Sequence, residues 1–361
     1  MIRIKEELMD VQPYKPGKPV DEVKRELGLK EAVKLASNEN PFGPSRLALS
    51  ALRKNLNEVN RYPDGGCYYL RKKLAKRHSI SDDRLIFGNG SDELIVLAIK
   101  ALLNKGDTVI IAEPTFLIYR LASKIAGMKT KFIPLKNLKY DLASMTAAID
   151  DSTKMIFIAN PDNPTGTYVN DEEVKAFIEM VPDDVLLFFD EAYYEYAIDG
   201  DYPDTLNYQD KSNIITTRTF SKIYGLAGLR IGYGVSTPEI IELMNKVREP
   251  FNVNSLAQVA ALAALDDKNH VRRVRRLTDR GKKQLYTAFE KLGVNYVPSA
   301  TNFILVDFGE NAEQIYNELL KKGIITRYMS AWGLKNYIRI TLGTEDENKK
   351  LIKRLNLILK G

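Results

Sequence analysis

The stretch VLLFFDEA, residues 185–192, runs five apolar residues together and then stops on two carboxylates. A half-exposed strand would alternate polar and apolar residues, and an amphipathic helix would place polar residues every third or fourth position. An unbroken apolar run ended by charge reads instead as a strand buried on both faces of a parallel sheet. The same texture recurs in RLIFG (84–88), TVIIAEP (108–114), KMIFIANP (154–161) and NIITTR (213–218). Segments of helical length lie between them, such as SDELIVLAIKALLNK (91–105), where Ser91 suits an N-cap. Strands alternating with helices from about residue 83 to 235 predict an α/β fold with a mostly parallel sheet. Polar residues gather at the predicted C-terminal strand ends, where open α/β sheets place their ligands.

Outside that block the texture changes. PEIIELMNKVREPF and the long run LAQVAALAALDDKNHVRRVRRLTDRGKKQLYTAFEKLG read as amphipathic helices. NFILVDF (302–308), IITR (324–327) and YIRITLG (337–343) read as shorter strands. The chain therefore divides into an N-terminal arm over 1–35 containing Pro13, Pro16 and Pro19, a large domain over 36–250, and a smaller α+β domain over 251–361.

Bulk composition narrows the function classes. The 361 residues are 44% hydrophobic and 28% charged, ordinary for a globular protein that needs more than one core. The net charge of +6 arises from 53 basic and 47 acidic residues mixed along the chain, without a basic block interleaved with aromatics, so no nucleic-acid partner is expected. One cysteine excludes an internal disulfide and fits a reducing cytoplasm. Two histidines give no basis for a histidine metal site, and no apolar run reaches the roughly 18 residues of a membrane span.

Four features at strand ends carry chemistry. GNGSDE (88–93) suits either a phosphate at a helix start or a plain strand-to-helix turn. It lacks the third glycine of a dinucleotide fingerprint, because Glu93 stands in that place. NPDNPTG (160–166) has the composition of a turn. Asp190 closes an apolar strand, where a carboxylate either pairs with a cation or takes up a proton more readily. Finally, TRTFSKIYGLAGLRIGYG (217–234) holds Lys222 between Ser221 and Gly225, with Arg230 further on. A partly desolvated lysine is a nucleophile toward carbonyls, and a serine with an arginine fork holds a phosphate. Together these features match the needs of pyridoxal 5′-phosphate: a lysine for its aldehyde, an anion for its pyridinium nitrogen, a donor for its phenolate and a cradle for its phosphate.

The motifs LASNENPFGPS (35–45), NRYPDGG (60–66), GNGSDEL (88–94), EPTFLIY (113–119), NPDNPTG, DEAYYEY (190–196), TNFILV (301–306) and IRITLGT (338–344), with the Lys222 stretch, resemble in order the histidinol-phosphate aminotransferase family of fold type I enzymes. The resemblance implies a seven-stranded, mostly parallel sheet with a smaller C-terminal domain, a homodimer, and transamination between L-histidinol phosphate and 2-oxoglutarate. Aromatic amino-acid transaminases and a threonine-phosphate decarboxylase share the motif set. It further implies that Lys222 anchors the cofactor and moves the proton, that Asp190 pairs with the pyridinium nitrogen, and that Asn163 and Tyr193 reach the phenolate. Phe116 would stack on the ring, where the family often has tyrosine. Backbone amides at Asp92 and Glu93, with Thr219, Ser221 and Arg230, would cradle the phosphate, and Tyr62 would reach across the dimer to it. Tyr14, Arg327 and Arg339 would hold the anionic end of the substrate. Trp332, the one tryptophan, lies between the two arginines in YMSAWGLKN.

Overall fold

The structure, a computed structural model, describes residues 6–9, 11, 13, 17–198, 200–208 and 211–360. Its centre is a sheet of seven strands: β1 (Leu85–Gly88), β2 (Thr108–Glu113), β3 (Lys129–Pro134), β4 (Thr153–Ala159), β5 (Leu186–Asp190), β6 (Ile214–Thr219) and β7 (Gly232–Val235). They lie in the order β1-β7-β6-β5-β4-β2-β3. Strand β7 runs antiparallel to both neighbours, β1 and β6, and all other pairings are parallel.

The unbroken apolar runs are explained by what covers them. Phe157 in β4 and Phe188 and Phe189 in β5 are fully buried, packed between helices on the two faces. Each such ring contributes about 1.5–3 kcal/mol by leaving water. Truncation of Phe188 to alanine costs about 3–5 kcal/mol, because a cavity is added to the lost transfer energy. Edge strand β3, KTKFIP, is half-exposed and mixes lysines with apolar residues, so it lacks the signature of the central strands.

Helix α1 (Ser91–Leu102) follows β1, but its N-cap is Gly90 at φ 82°, and Ser91 is the first helical residue. The C-terminal helical run divides into α2 (Ser255–Ala264) and α3 (Lys268–Leu292), with Asp267 accepting from the His270 amide to cap the second. Helix α2 packs on Arg46–Asn55, and its Ala257, Ala260 and Ala261 share a core with Phe220 and Ile231 beside the large sheet.

A second, antiparallel sheet takes the order β10-β11-β9-β8, from β8 (Asn295–Val297), β9 (Phe303–Asp307), β10 (Arg327–Tyr328) and β11 (Tyr337–Thr341). Its core gathers Ile304, Ile338 and Ile340 with Leu285 and Phe289 of α3. Val33–Lys34 pairs in parallel with Ile324–Ile325 and ties the chain's N-terminal region to this sheet. Among the described residues no helix is long and apolar enough to cross a membrane.

Candidate functional site

Parallel strands end side by side, so residues far apart in sequence meet at their C-terminal edge. Asp190 closes β5 in register with Ala159 of β4 and Thr217 of β6. Its Oδ2 accepts from Tyr119 Oη at 2.8 Å, and its Oδ1 accepts from the Ala192 amide at 3.0 Å. Burial pushes the carboxyl up to about 6, with the Asp92 charge adding to the rise, while the Tyr119 hydrogen bond and the Lys222 charge pull it back.

Lys222 lies on the turn after β6, with its ammonium 5.4 Å from the ring centroid of Tyr193. Tyr193 Oη accepts from Asn38 Nδ2 at 2.8 Å. Asn38 is fixed in turn by Thr341, whose hydroxyl donates to Asn38 Oδ1 at 3.0 Å and accepts from the Asn38 amide at 2.9 Å. Lys222, Tyr193, Asp190, Phe116, Asn163 and Asp92 line one cleft, together with Tyr119 and Ser91.

The GNGSDE segment forms one end of this region. The first amides of α1 have no partner within the helix and carry its positive pole. Arg230, in the left-handed region at φ 56°, comes up against them: its Nη2 is 3.6 Å from Asp92 Oδ2, and its Nη1 is 3.4 Å from Ser221 Oγ. Two glycines make the approach possible. A Cβ on Gly90 would run into the Arg230 guanidinium, and one on Gly232 of β7 would lie 2.6 Å from the Ser91 amide nitrogen. Thr219 Oγ1 accepts from the Ser221 amide at 3.1 Å and so shapes the turn. The Glu93 carboxylate folds back on the Asn89 amide and Asn252 Nδ2, each at 2.6 Å.

The Asn turn is held from inside by Asp162, a residue the sequence did not single out. It is fully buried and accepts from Thr115 Oγ1 at 2.7 Å and Thr165 Oγ1 at 2.8 Å. Burial pushes its carboxyl up to about 6, against the hydrogen bonds from Thr115 and Thr165. Next to it, Asn163 Oδ1 accepts from Arg339 Nη1, so these two expected ligands are engaged with each other. Arg339, buried on β11, also donates through Nη2 to the Ala36 carbonyl at 2.9 Å and lies 5.2 Å over the Phe303 ring. Arg327 faces the Trp332 ring at 5.2 Å, which gives that tryptophan a packing partner from the expected substrate clamp.

Tyr62 is among the expected residues that do not line the cleft. Tyr62 is 84% exposed and stacks on Phe251 at 4.9 Å, and Tyr14 lies outside the described residues. Tyr119 and Asn38, in contrast, are close to the centre and escaped the sequence reading. A signal for Tyr119 existed: it stands three residues after Phe116 in EPTFLIY, one helical turn on from an expected cofactor contact. Asn38 had only its place in LASNENPFGPS, with no pattern pointing at Tyr193.

The family model for aminotransferases of class I and II matches residues 30–355. A histidinol-phosphate aminotransferase of Moorella thermoacetica is 46% identical, covering 99% of this chain and 93% of its own length. One from Caldicellulosiruptor saccharolyticus is 44% identical, covering 98% and 99%. The crystal structure of histidinol-phosphate aminotransferase from Sinorhizobium meliloti in complex with pyridoxal-5′-phosphate superposes with a TM-score of 0.93 at 29% identity, covering 100% of this chain and 98% of that one. A near-complete match in both sequence and fold leaves one assignment: the chain belongs to the aminotransferase class I and II family, within its histidinol-phosphate aminotransferases.

Proposed function

We propose that this chain is a pyridoxal 5′-phosphate-dependent aminotransferase of histidine biosynthesis. It exchanges an amino group between L-histidinol phosphate and 2-oxoglutarate, giving imidazole acetol phosphate and L-glutamate in two half-reactions. One observation carries the reading: Lys222 and Asp190, from neighbouring strand ends, open into a single cleft that Tyr193 and Phe116 also line.

The residues fit the cofactor. Among the described residues the buried Asp190 carboxylate has no ion pair, and a protonated ring nitrogen would provide one. The α1 amides at Asp92 and Glu93, with Thr219, Ser221 and Arg230, suit a phosphate. Phe116 would cover the ring, and Tyr193 and Asn163 would donate to its oxygen. When bound, the cofactor supplies an aldehyde for the amino group and an electron-withdrawing ring for the carbon that loses its proton.

The chain's own side chains do the rest. Lys222 Nζ would hold the cofactor's aldehyde between turnovers and, once freed by the incoming amine, would serve as the base that takes the substrate carbon's proton and the acid that gives it to the carbon on the far side of the nitrogen. Asp190, oriented by Tyr119 and the Ala192 amide, keeps the ring nitrogen protonated. Arg327 and Arg339, with Tyr14, hold the anionic end, which is a phosphate in one half-reaction and a carboxylate in the other. Arginine's planar fork fits both.

The division we propose is an N-terminal arm over 1–35, a large cofactor-binding domain over 36–250 and a small C-terminal domain over 251–361, with α2 packed on the cofactor side. The exposed Tyr62 fits a cytoplasmic homodimer in which each subunit lends this phenol to its partner's phosphate site. Turnover on histidinol phosphate and on phenylalanine tests the substrate. The proposal expects strong preference for the former, and a hundredfold preference for phenylalanine would overturn it. Sedimentation of the purified protein tests the dimer, and a monomer with full activity would exclude the shared site.

A further inference from the structure

Among the described residues, one side chain donates to Asp190, and it is a neutral one. Tyr119 Oη meets Oδ2 at 2.8 Å while the Ala192 amide holds Oδ1 at 3.0 Å. The Tyr119 ring is wholly buried and clamped on two sides. It stacks on Phe157 with centroids 4.9 Å apart and planes 10° from parallel, and it meets Phe116 edge-on at 5.6 Å. These contacts fix the ring's plane and leave the hydroxyl one direction to point.

Packing alone does not call for that hydroxyl. Phenylalanine would fill the same slot between Phe157 and Phe116, without a polar atom that must be satisfied in the interior. The hydroxyl makes sense through its acceptor. A lysine or arginine in its place would neutralise Asp190 and compete with any cation arriving from the cleft. A phenol supplies a strong hydrogen bond to the carboxylate and leaves its negative charge in place. Burial holds the Tyr119 phenol well above its ordinary range, which favours the protonated form that donates.

We infer that Tyr119 is a positioning residue for Asp190: its hydroxyl fixes the carboxylate's rotation and solvates its charge, so that the cofactor's ring nitrogen meets an oriented anion. The inference rests on the proposed pairing of Asp190 with that nitrogen. Through its edge contact with Phe116, the same ring also sets the height at which the stacking residue sits over the cleft.

A double-mutant cycle on the full-length protein separates this role from packing. Equilibrium dialysis against pyridoxal 5′-phosphate gives Kd for the wild type, Tyr119→Phe, Asp190→Asn and the double variant, with the long-wavelength absorbance recorded in parallel. Loss of a hydrogen bond to a charged group should raise Kd in Tyr119→Phe by about 10- to 100-fold. In the Asp190→Asn background the same change should cost less than about threefold, because no charge is left to orient. Equal losses in both backgrounds, or no loss in either, would overturn the role of Tyr119. A different result bears on the site itself: if the wild type shows no borohydride-sensitive band, or Asp190→Asn binds as tightly as the wild type, the Asp190 pairing fails whatever Tyr119 does.

Discussion

Arg339 on the small antiparallel sheet and Asn163 in the Asn turn of the large sheet are hydrogen-bonded to each other across the cleft region. With Nη2 also fixed on the Ala36 carbonyl, the guanidinium is held in place before any substrate arrives. On the proposed anion site, a carboxylate or phosphate would exchange the Asn163 amide oxygen for a charged acceptor, at little cost in side-chain ordering.

Arg339→Lys removes the fork and keeps the charge. Because a bidentate site does not accept lysine as an equivalent, kcat/KM should fall about 100-fold or more for both the amino donor and 2-oxoglutarate. The loss should appear mainly in KM. Steady-state kinetics on both substrates would show it, and a variant impaired toward only one of them would contradict a shared anion site.

Lys222→Ala removes the amine proposed to hold the cofactor and move the proton. Transamination should drop by at least about 10³-fold, in line with loss of a positioned general base together with a covalent anchor. The purified variant should show no borohydride-sensitive long-wavelength band after mixing with pyridoxal 5′-phosphate, and mass spectrometry should find no reduced adduct on another lysine.

Stability should carry the mark of two buried carboxyls. Asp190 and Asp162 are each raised from an ordinary 3.8 to about 6. Between those values the folded chain retains protons that the unfolded chain has released, so stability falls as pH rises from about 4 to about 6 and stays lower above that. Each carboxyl accounts for about 3 kcal/mol by this linkage. Asp190→Asn removes one of the two steps. The ligand-free variant should melt above the wild type at pH 7.5 and close to it at pH 4, and an equal difference at both pH values would contradict the assignment.

Gly232→Ala tests the close approach of β7 to α1. Its Cβ would stand 2.6 Å from the Ser91 amide nitrogen, with the Gly90 carbonyl carbon 2.9 Å away, both backbone atoms unable to swing aside. The helix start must shift, which should cost about 1–3 kcal/mol of stability. Affinity for pyridoxal 5′-phosphate should weaken more than affinity for its dephosphorylated form, since the displaced amides are the ones proposed to cradle the phosphate.

The large sheet was legible because its inner strands are covered on both faces, so β4 and β5 read as continuous apolar runs. Two strands escaped for physical reasons. Strand β3 lies at the edge, where lysines reach solvent, and β7 is two glycines in four residues, chosen for the absence of a side chain. Lys222, Asp190 and Arg230 were legible because each breaks the texture around it. Contacts such as Tyr119 with Asp190, Asn38 with Tyr193 and Arg339 with Asn163 join segments 71 to 176 positions apart. No local periodicity encodes such meetings, because the topology of the chain alone brings them about.

Thr341 and Arg339 stand two positions apart on β11, and alternate residues of a strand share a face. Arg339 is the residue proposed to meet the substrate's charge, and Thr341 leads through Asn38 to the Tyr193 phenol. One strand of the small sheet therefore carries both. If an anion docks on Arg339 as proposed, it docks on the same strand whose Thr341 holds Asn38 on the Tyr193 phenol, so the grip on the substrate and the setting of that phenol share one support.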